Sequence, residues 1–319
     1  MKNLRYAALC LTVVTALAAC GDSGSDTAGN QTGGASTVDL AGESFALGTK
    51  GFTEHFILTQ IAKLMLESAG ADVTVRDLPS TQQVRAALES GDLDMYWEYT
   101  GTAWTNFLGH EAAETTDPQD LYEDVAAEDL AENGIKWLPA APLDDTYGIV
   151  VRSEAAEDLN VETTSDLVRL AEESPEDLTI CVDETFTDRP DNLPALERAY
   201  DFTVPRENIT VSTYSLIFAS VDEGDVCNFG AIYKTDGRIA ALDLTVLDDD
   251  QGAFLSYLPA LTMTEERYAE VGEEVLELME PLLDALDTET ITRLNGEVDV
   301  DGEFPEDVAE KWLKDNGFI

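Results

Sequence analysis

The sequence predicts an α/β protein built as two lobes with a cleft between them. Three observations lead there. Strand and helix signals alternate from Phe45 to Tyr99, which argues for a layered lobe on a largely parallel sheet. A second series of the same kind begins at Tyr147. About 280 residues follow the first 37, enough for two lobes on domain-size grounds.

Residues 45–47 form a short strand. Thr53 is placed to cap a helix whose Ile57, Ile61, Leu64 and Met65 recur at one turn's spacing, and Gly70 ends it. Residues 73–75 are a second strand. Ser80 and Gln83 have capping-box spacing, Val84, Ala87 and Leu88 give the next helix its inner face, and Gly91 stops it. Leu93, Met95, Trp97 and Tyr99 then alternate with Asp94, Tyr96 and Glu98, the pattern of a strand. In the second series, strands are expected at 147–151, 178–182, 209–211 and 226–233. Helices are expected from Ser165 or Asp166, over 192–200 and over 215–222. The C-terminal part reads as helix, 265–286 with an interruption at Pro281 and then 305–316.

The N-terminus carries a targeting signal. Lys2 and Arg5 precede an apolar run over 7–18 that is too short to span a bilayer. Leu17-Ala18-Ala19-Cys20-Gly21 resembles the lipobox of bacterial lipoproteins, in which the cut falls before the cysteine and its sulfur takes the lipid. An ordinary secretory signal is the alternative. Residues 1–19 are thus expected to be a lipoprotein signal peptide with Cys20 as the lipidation site. Residues 20–37, small and polar, are a flexible tether. The expected location is the cell surface or periplasm, with the membrane reached through the N-terminal lipid.

The chain holds 18 Lys+Arg against 65 Asp+Glu, a net charge of -47. Such a surface has no basic patch to neutralise phosphates, so nucleic acid is excluded as a partner. The charge is read first as hydration suited to a saline medium and second as a field for cations. Cys181 and Cys227 are each set in an apolar stretch. In an exported chain they are either a disulfide or two buried thiols, and the disulfide is the expectation. Neither they nor His55 and His110 have metal-ligand spacing, so no metal and no cofactor is expected.

A site between lobes collects at strand ends and helix starts. The candidate segments are residues 50–56, 98–104, 144–151, 186–191, 231–239 and 254–260. They carry a series of motifs in fixed order: TKGFTEHFIL, LPSTQQV, DMYWEYTGTAW, TYGIVVR, TFTDRPDN, YKTDGRI and LDDDQGAFLSY. This series resembles the glycine betaine, choline, carnitine and proline-betaine binding proteins of osmoprotectant ABC importers, over essentially 45–319. The resemblance implies a type II periplasmic-binding-protein-like fold. Lobe 1 would comprise 38–144 plus 259–319, and lobe 2 would comprise 145–258.

The resemblance also implies the site. In the family four tyrosines surround the trimethylammonium head, and the matching positions are Tyr99, Tyr147, Tyr233 and Tyr257. A quaternary ammonium has no N–H to donate, so the negative faces of aromatic rings must hold it. Lys50, Thr102 and Arg189 match the carboxylate-binding positions, and Asp145 is a weaker candidate beside the head, with Phe186 packing nearby. A Cys181–Cys227 bridge would tie two strands of lobe 2. Three departures bear on ligand choice: Pro79-Ser80 replaces paired glycines, Asn192 replaces a glycine, and Leu255-Ser256 replaces a proline-containing approach to Tyr257.

The implied function is the extracytoplasmic solute-binding subunit of an ABC importer, a monomer that takes glycine betaine or a related quaternary-ammonium solute. A choline- or carnitine-specific receptor is the alternative. The chain has no phosphate-binding G-x-x-x-x-G-K-[ST] loop, so the permease and its ATPase are separate subunits. It also lacks the G-x-S-x-G and H-E-x-x-H motifs, which argues against an enzyme.

Overall fold

A computed structural model describes residues 38–78, 80–111 and 117–319. The expected signal peptide, Cys20, the tether and Pro79 lie outside the described residues. No helix among those described is long and apolar enough to cross a membrane.

The first half of the chain runs β1 (Ser44–Thr49), α1 (Thr53–Ser68), β2 (Asp72–Asp77), α2 (Thr81–Glu89), β3 (Met95–Tyr99), α3 (Thr100–Asn106), α4 (Pro118–Asn133) and β4 (Ile135–Trp137). Then follow β5 (Tyr147–Arg152), α5 (Ser153–Leu159), α6 (Ser165–Glu173), β6 (Ile180–Val182), α7 (Glu184–Asp188), α8 (Leu193–Ala199), β7 (Ile209–Val211), α9 (Tyr214–Glu223), β8 (Phe229–Tyr233), α10 (Arg238–Ala241) and β9 (Leu244–Val246). The chain ends with β10 (Pro259–Thr264), α11 (Glu265–Leu283), α12 (Thr288–Asp299) and α13 (Pro305–Asp315).

Among the described residues these strands form two sheets, in the orders β2-β1-β3-β10-β4 and β7-β6-β8-β5-β9. In each sheet the first three strands are parallel and the fourth is antiparallel to both neighbours. The expectation of largely parallel sheets is corrected to mixed ones. The physical reason is connectivity. The chain changes sheets over 138–146 and again over 247–258. On its return β10 pairs antiparallel with β3, and in the second sheet β5, the first strand formed there, is later paired antiparallel by β8. This is the type II two-lobed architecture that was expected.

Several boundaries differ from the sequence reading. Thr53 does not cap α1. Phe52 occupies that position in extended conformation, and the Thr53 hydroxyl donates to Asp299 Oδ1 at 2.6 Å. Ser80 does cap α2, accepting from the Gln83 N–H. The alternation across β3 does not leave one face wet: all five residues are buried, because elements cover both faces of a central strand. The expected interruption at Pro281 is absent, and α11 continues to Leu283.

One apolar core lies between the first sheet and α1, α11, α12 and α13, where Ile57, Ile61 and Leu66 meet Val275, Leu278 and Leu313. Each such side chain contributes about 1.5–3 kcal/mol by leaving water. Another core packs Ile217, Phe218 and Val221 of α9 on Val150 and Ile232 of the second sheet. A disulfide joins Cys181 of β6 to Cys227 within that core, with Cα atoms 5.7 Å apart.

Candidate functional site

Sheet geometry brings the four tyrosines to one place. Tyr99 ends β3, and the register sets it opposite Pro259, so Tyr257 lies just beyond the start of the antiparallel β10. Tyr233 ends β8 and is paired in register with Tyr147, the first residue of the antiparallel β5. Strand ends from both sheets therefore meet. One cavity is lined by all four tyrosines together with Lys50, Phe52, Thr81, Thr102, Asp145 and Arg189. Every ligand position expected from the sequence is on that wall.

The rings form a connected wall. Tyr147 lies 4.8 Å from Tyr233 and 5.7 Å from Tyr257, centre to centre, and its hydroxyl is 3.2 Å from that of Tyr233. Tyr99 joins through Phe52, which is 6.1 Å from it and 5.9 Å from Tyr233. Phe186 packs on Tyr147 at 5.6 Å, backing the ring. Gly101 makes room for Tyr257: a Cβ there would come within 2.8 Å of the phenol ring. The departure at Leu255-Ser256 is held by backbone bonds instead of a proline. The Leu255 carbonyl accepts from Thr146 Oγ1 at 2.5 Å and the Ser256 carbonyl from Thr100 Oγ1 at 3.1 Å.

Both expected cations already have partners. Lys50 Nζ is 2.6 Å from Glu98 Oε1. Buried His55 fixes the Lys50 backbone: its Nδ1 accepts from the Lys50 N–H at 3.0 Å and its Nε2–H donates to the Trp97 carbonyl at 2.7 Å. Burial, aided by the Lys50 charge, holds the His55 ring down to about 3, so it stays neutral. Arg189 forks onto Asp191 through Nε and Nη2. Asp191 also accepts from Tyr257 Oη at 2.5 Å and from Thr105 Oγ1 of α3 at 3.0 Å. Burial pushes the Asp191 carboxyl up, but the Arg189 fork and the Tyr257 hydroxyl outweigh it and hold it below its usual value.

An acidic cavity adjoins the first and shares Phe52, Asp145 and Tyr233 with it. Asp145 accepts from Thr235 Oγ1 at 2.6 Å, and Glu54 accepts from Tyr99 Oη at 2.9 Å. Burial pushes Asp145 well up, with the Glu54 charge adding to it. Burial likewise raises Glu54 to about 7 from 4.5, against the hydrogen bonds it accepts. Between those two pH values the folded state holds a proton that the unfolded chain releases. The contribution of Glu54 to stability is therefore complete below about pH 4.5 and lost as pH rises through about 7. Glu54→Gln is expected to flatten that slope, and thermal melts of both proteins at pH 5 and pH 7.5 check it.

The family model for the substrate binding domain of ABC-type glycine betaine transport systems matches residues 44–315. The chain belongs to this family. Its members bind a transporter's substrate and are not enzymes. One relative in the family is the glycine betaine-binding protein YehZ of Escherichia coli, 32% identical over 85% of this chain and 90% of that one. The solved apo form of YehZ superposes with a TM-score of 0.68 at 31% identity, over 88% of this chain and all of the other. A glycine-betaine-binding protein of Pseudomonas aeruginosa is 32% identical over 87% of this chain and 89% of its own. The crystal structure of a glycine betaine/carnitine/choline ABC transporter matches with a TM-score of 0.72 at 25% identity, covering 86% of this chain and 98% of that one.

Sequence reasoning did not single out several residues of this candidate site. Phe52 lay inside a candidate segment, and its place after a strand and before a helix was the available signal. Thr81 at the start of α2 had only its helix-start position to mark it. Tyr214, 5.0 Å from Tyr233, carried no signal beyond being aromatic at a helix start. Glu98 and Asp191, partners of the two cations, also fall inside candidate segments, but nothing singles them out among 65 acidic residues.

Proposed function

We propose that this chain is the extracytoplasmic solute-binding subunit of an ABC importer and that its ligand is glycine betaine or a related quaternary-ammonium solute. The observation that carries the reading is the single cavity walled by Tyr99, Tyr147, Tyr233 and Tyr257. A trimethylammonium head offers methyl groups and diffuse positive charge, and ring faces answer both, each with roughly 0.5–2 kcal/mol when desolvated. The phenol hydroxyls keep their own bonds at the rim.

In this reading Lys50, Thr102 and Arg189 take the carboxylate. The Asp191 fork uses Nε and Nη2 of Arg189, and Nη1 is assigned to the ligand. Asp145 faces the ammonium. Ligand enters as residues 38–144 plus 259–319 move apart from 145–258, the segments over 138–146 and 247–258 acting as the hinge. The tyrosine-lined part of the cleft is narrow, about 50 Å³, and shares Lys50, Phe52, Thr81, Arg189 and Tyr233 with an adjoining part of about 460 Å³ through which a solute can reach it. Cys20 carries the lipid, residues 20–37 form the tether, and a monomeric receptor delivers solute to a permease driven by a separate ATPase.

A choline- or carnitine-specific receptor is the second reading. Asp145 on the cavity wall, beside Glu54, favours choline within this reading, because only choline has a net positive charge and a bound cation would draw these two buried carboxyls back towards ionisation. Calorimetric titration of the purified protein with glycine betaine, choline, carnitine and proline separates these readings. Betaine binding far more tightly than choline and carnitine supports the first, and choline or carnitine binding far more tightly than betaine supports the second. No heat with any quaternary ammonium would overturn both.

A further inference from the structure

Outside the aromatic cavity, the two lobes meet at a pair of glycines. Gly237 follows β8, and Gly296 lies in α12. A Cβ built on Gly237 would fall 2.3 Å from Gly296 Cα and 2.4 Å from its backbone nitrogen, inside any van der Waals contact. The contact is not reciprocal. A Cβ on Gly296 would reach only Gly237 Cα, at an ordinary 3.8 Å. Gly237 has φ -64 and ψ -19, a conformation open to every residue, so local backbone geometry does not call for glycine. What calls for it is the approach of α12.

The neighbours of this pair also reach across. Asn295 Nδ2 donates to the Thr235 carbonyl at 2.9 Å, and Arg238 Nη2 lies 3.7 Å from Asp299 Oδ2. Asn295, Gly296 and Asp299 thus engage the Thr235-to-Arg238 turn from one stretch of helix. Neither glycine lines the aromatic cavity.

We propose that the Gly237–Gly296 contact is the stop that sets how far the lobes close on the ligand, which makes Gly237 a positioning residue for binding. The inference rests on the reading above that the lobes close over a quaternary-ammonium solute. A methyl group at 237 must push α12 back by about 1.2–1.7 Å to reach an ordinary contact distance of about 3.5–4.0 Å. The interlobe gap then stays open, and the rings of one lobe no longer meet a head held by the other.

The test uses the full chain as wild type, Gly237→Ala and Gly296→Ala, with glycine betaine as the probe. Calorimetry reads affinity, small-angle X-ray scattering reads contraction on adding betaine, and melting without ligand reads the fold. Gly237→Ala is expected to melt close to wild type, to bind about tenfold or more weakly, the scale of an overpacked contact, and not to contract with betaine. Gly296→Ala is expected to bind within about threefold of wild type, since its Cβ meets no close atom. Wild-type affinity and contraction in Gly237→Ala would overturn the proposal. So would a fall in ligand-free melting that parallels the loss of binding, because the contact would then serve the fold. A wild-type protein that binds no quaternary ammonium would instead overturn the underlying functional reading, and this inference with it.

Discussion

Tyr147→Ala is expected to weaken betaine binding by about thirtyfold or more, whereas Tyr147→Phe costs only a few-fold. Tyr147 has Tyr233, Tyr257, Phe186 and Phe254 all within 6.2 Å, centre to centre. Removing its ring deletes one cation-holding face, about 2 kcal/mol when desolvated, which converts to about thirtyfold. It also leaves a void among four aromatic neighbours that do not collapse fully into it. Phenylalanine keeps the ring and loses only the 3.2 Å contact with the Tyr233 hydroxyl, about 0.5–1.5 kcal/mol. Calorimetry on the three proteins decides the matter. Equal losses in both variants would assign the interaction to the hydroxyl and remove the basis for an aromatic box.

Arg189→Ala is expected to separate ligands by charge. Betaine, whose carboxylate needs a donor, should lose about a hundredfold, and choline, which has no carboxylate, less than about tenfold. The variant should also melt lower without ligand. The Asp191 side chain is fully buried, and removing Arg189 strands its charge, a cost of about 3–5 kcal/mol. The double variant Arg189→Ala/Asp191→Asn tells the two effects apart. It should regain thermal stability, because no buried charge is left without its partner, while betaine binding stays lost. Recovery of betaine binding in the double variant would mean that Arg189 serves only to neutralise Asp191.

The tyrosines were legible in the sequence because each stands in a motif that matches the family's, and for Tyr99, Tyr147 and Tyr233 the motif also ends or begins an expected strand, where cleft residues collect. The pairings were not. Lys50 with Glu98 joins positions 48 apart, set by packing between elements, and spacing along the chain says nothing of it. Arg189 and Asp191 are only two positions apart, and their fork depends on the conformation of the loop between α7 and α8. Two of the missed helices share a physical cause. Helix α4 buries Leu121, Val125 and Asp129, and α12 buries Ile291, Leu294 and Asn295. A buried polar residue interrupts the apolar stripe that marks a helix, and each of these has its own partners: Asp129 accepts from Arg85 and Trp137, and Asn295 donates to Thr235. Strand β10 is buried along nearly its whole length, so it shows no alternation, and it begins with a proline.

The place of β10 bears on how the chain is made. The second sheet draws all its strands from one continuous stretch, β5 to β9, and completes as soon as that stretch has left the ribosome. The first sheet does not. Tyr99 waits for Pro259, its register partner, 160 positions later. At about 5–20 residues per second, the open edge of β3 stands without its neighbour for roughly 8–30 seconds of synthesis. An open strand edge is a template for pairing with other chains. The lobe that begins first is thus finished last, and its long-range pairing makes it the slow step of refolding and the stage at which holding by a chaperone matters most.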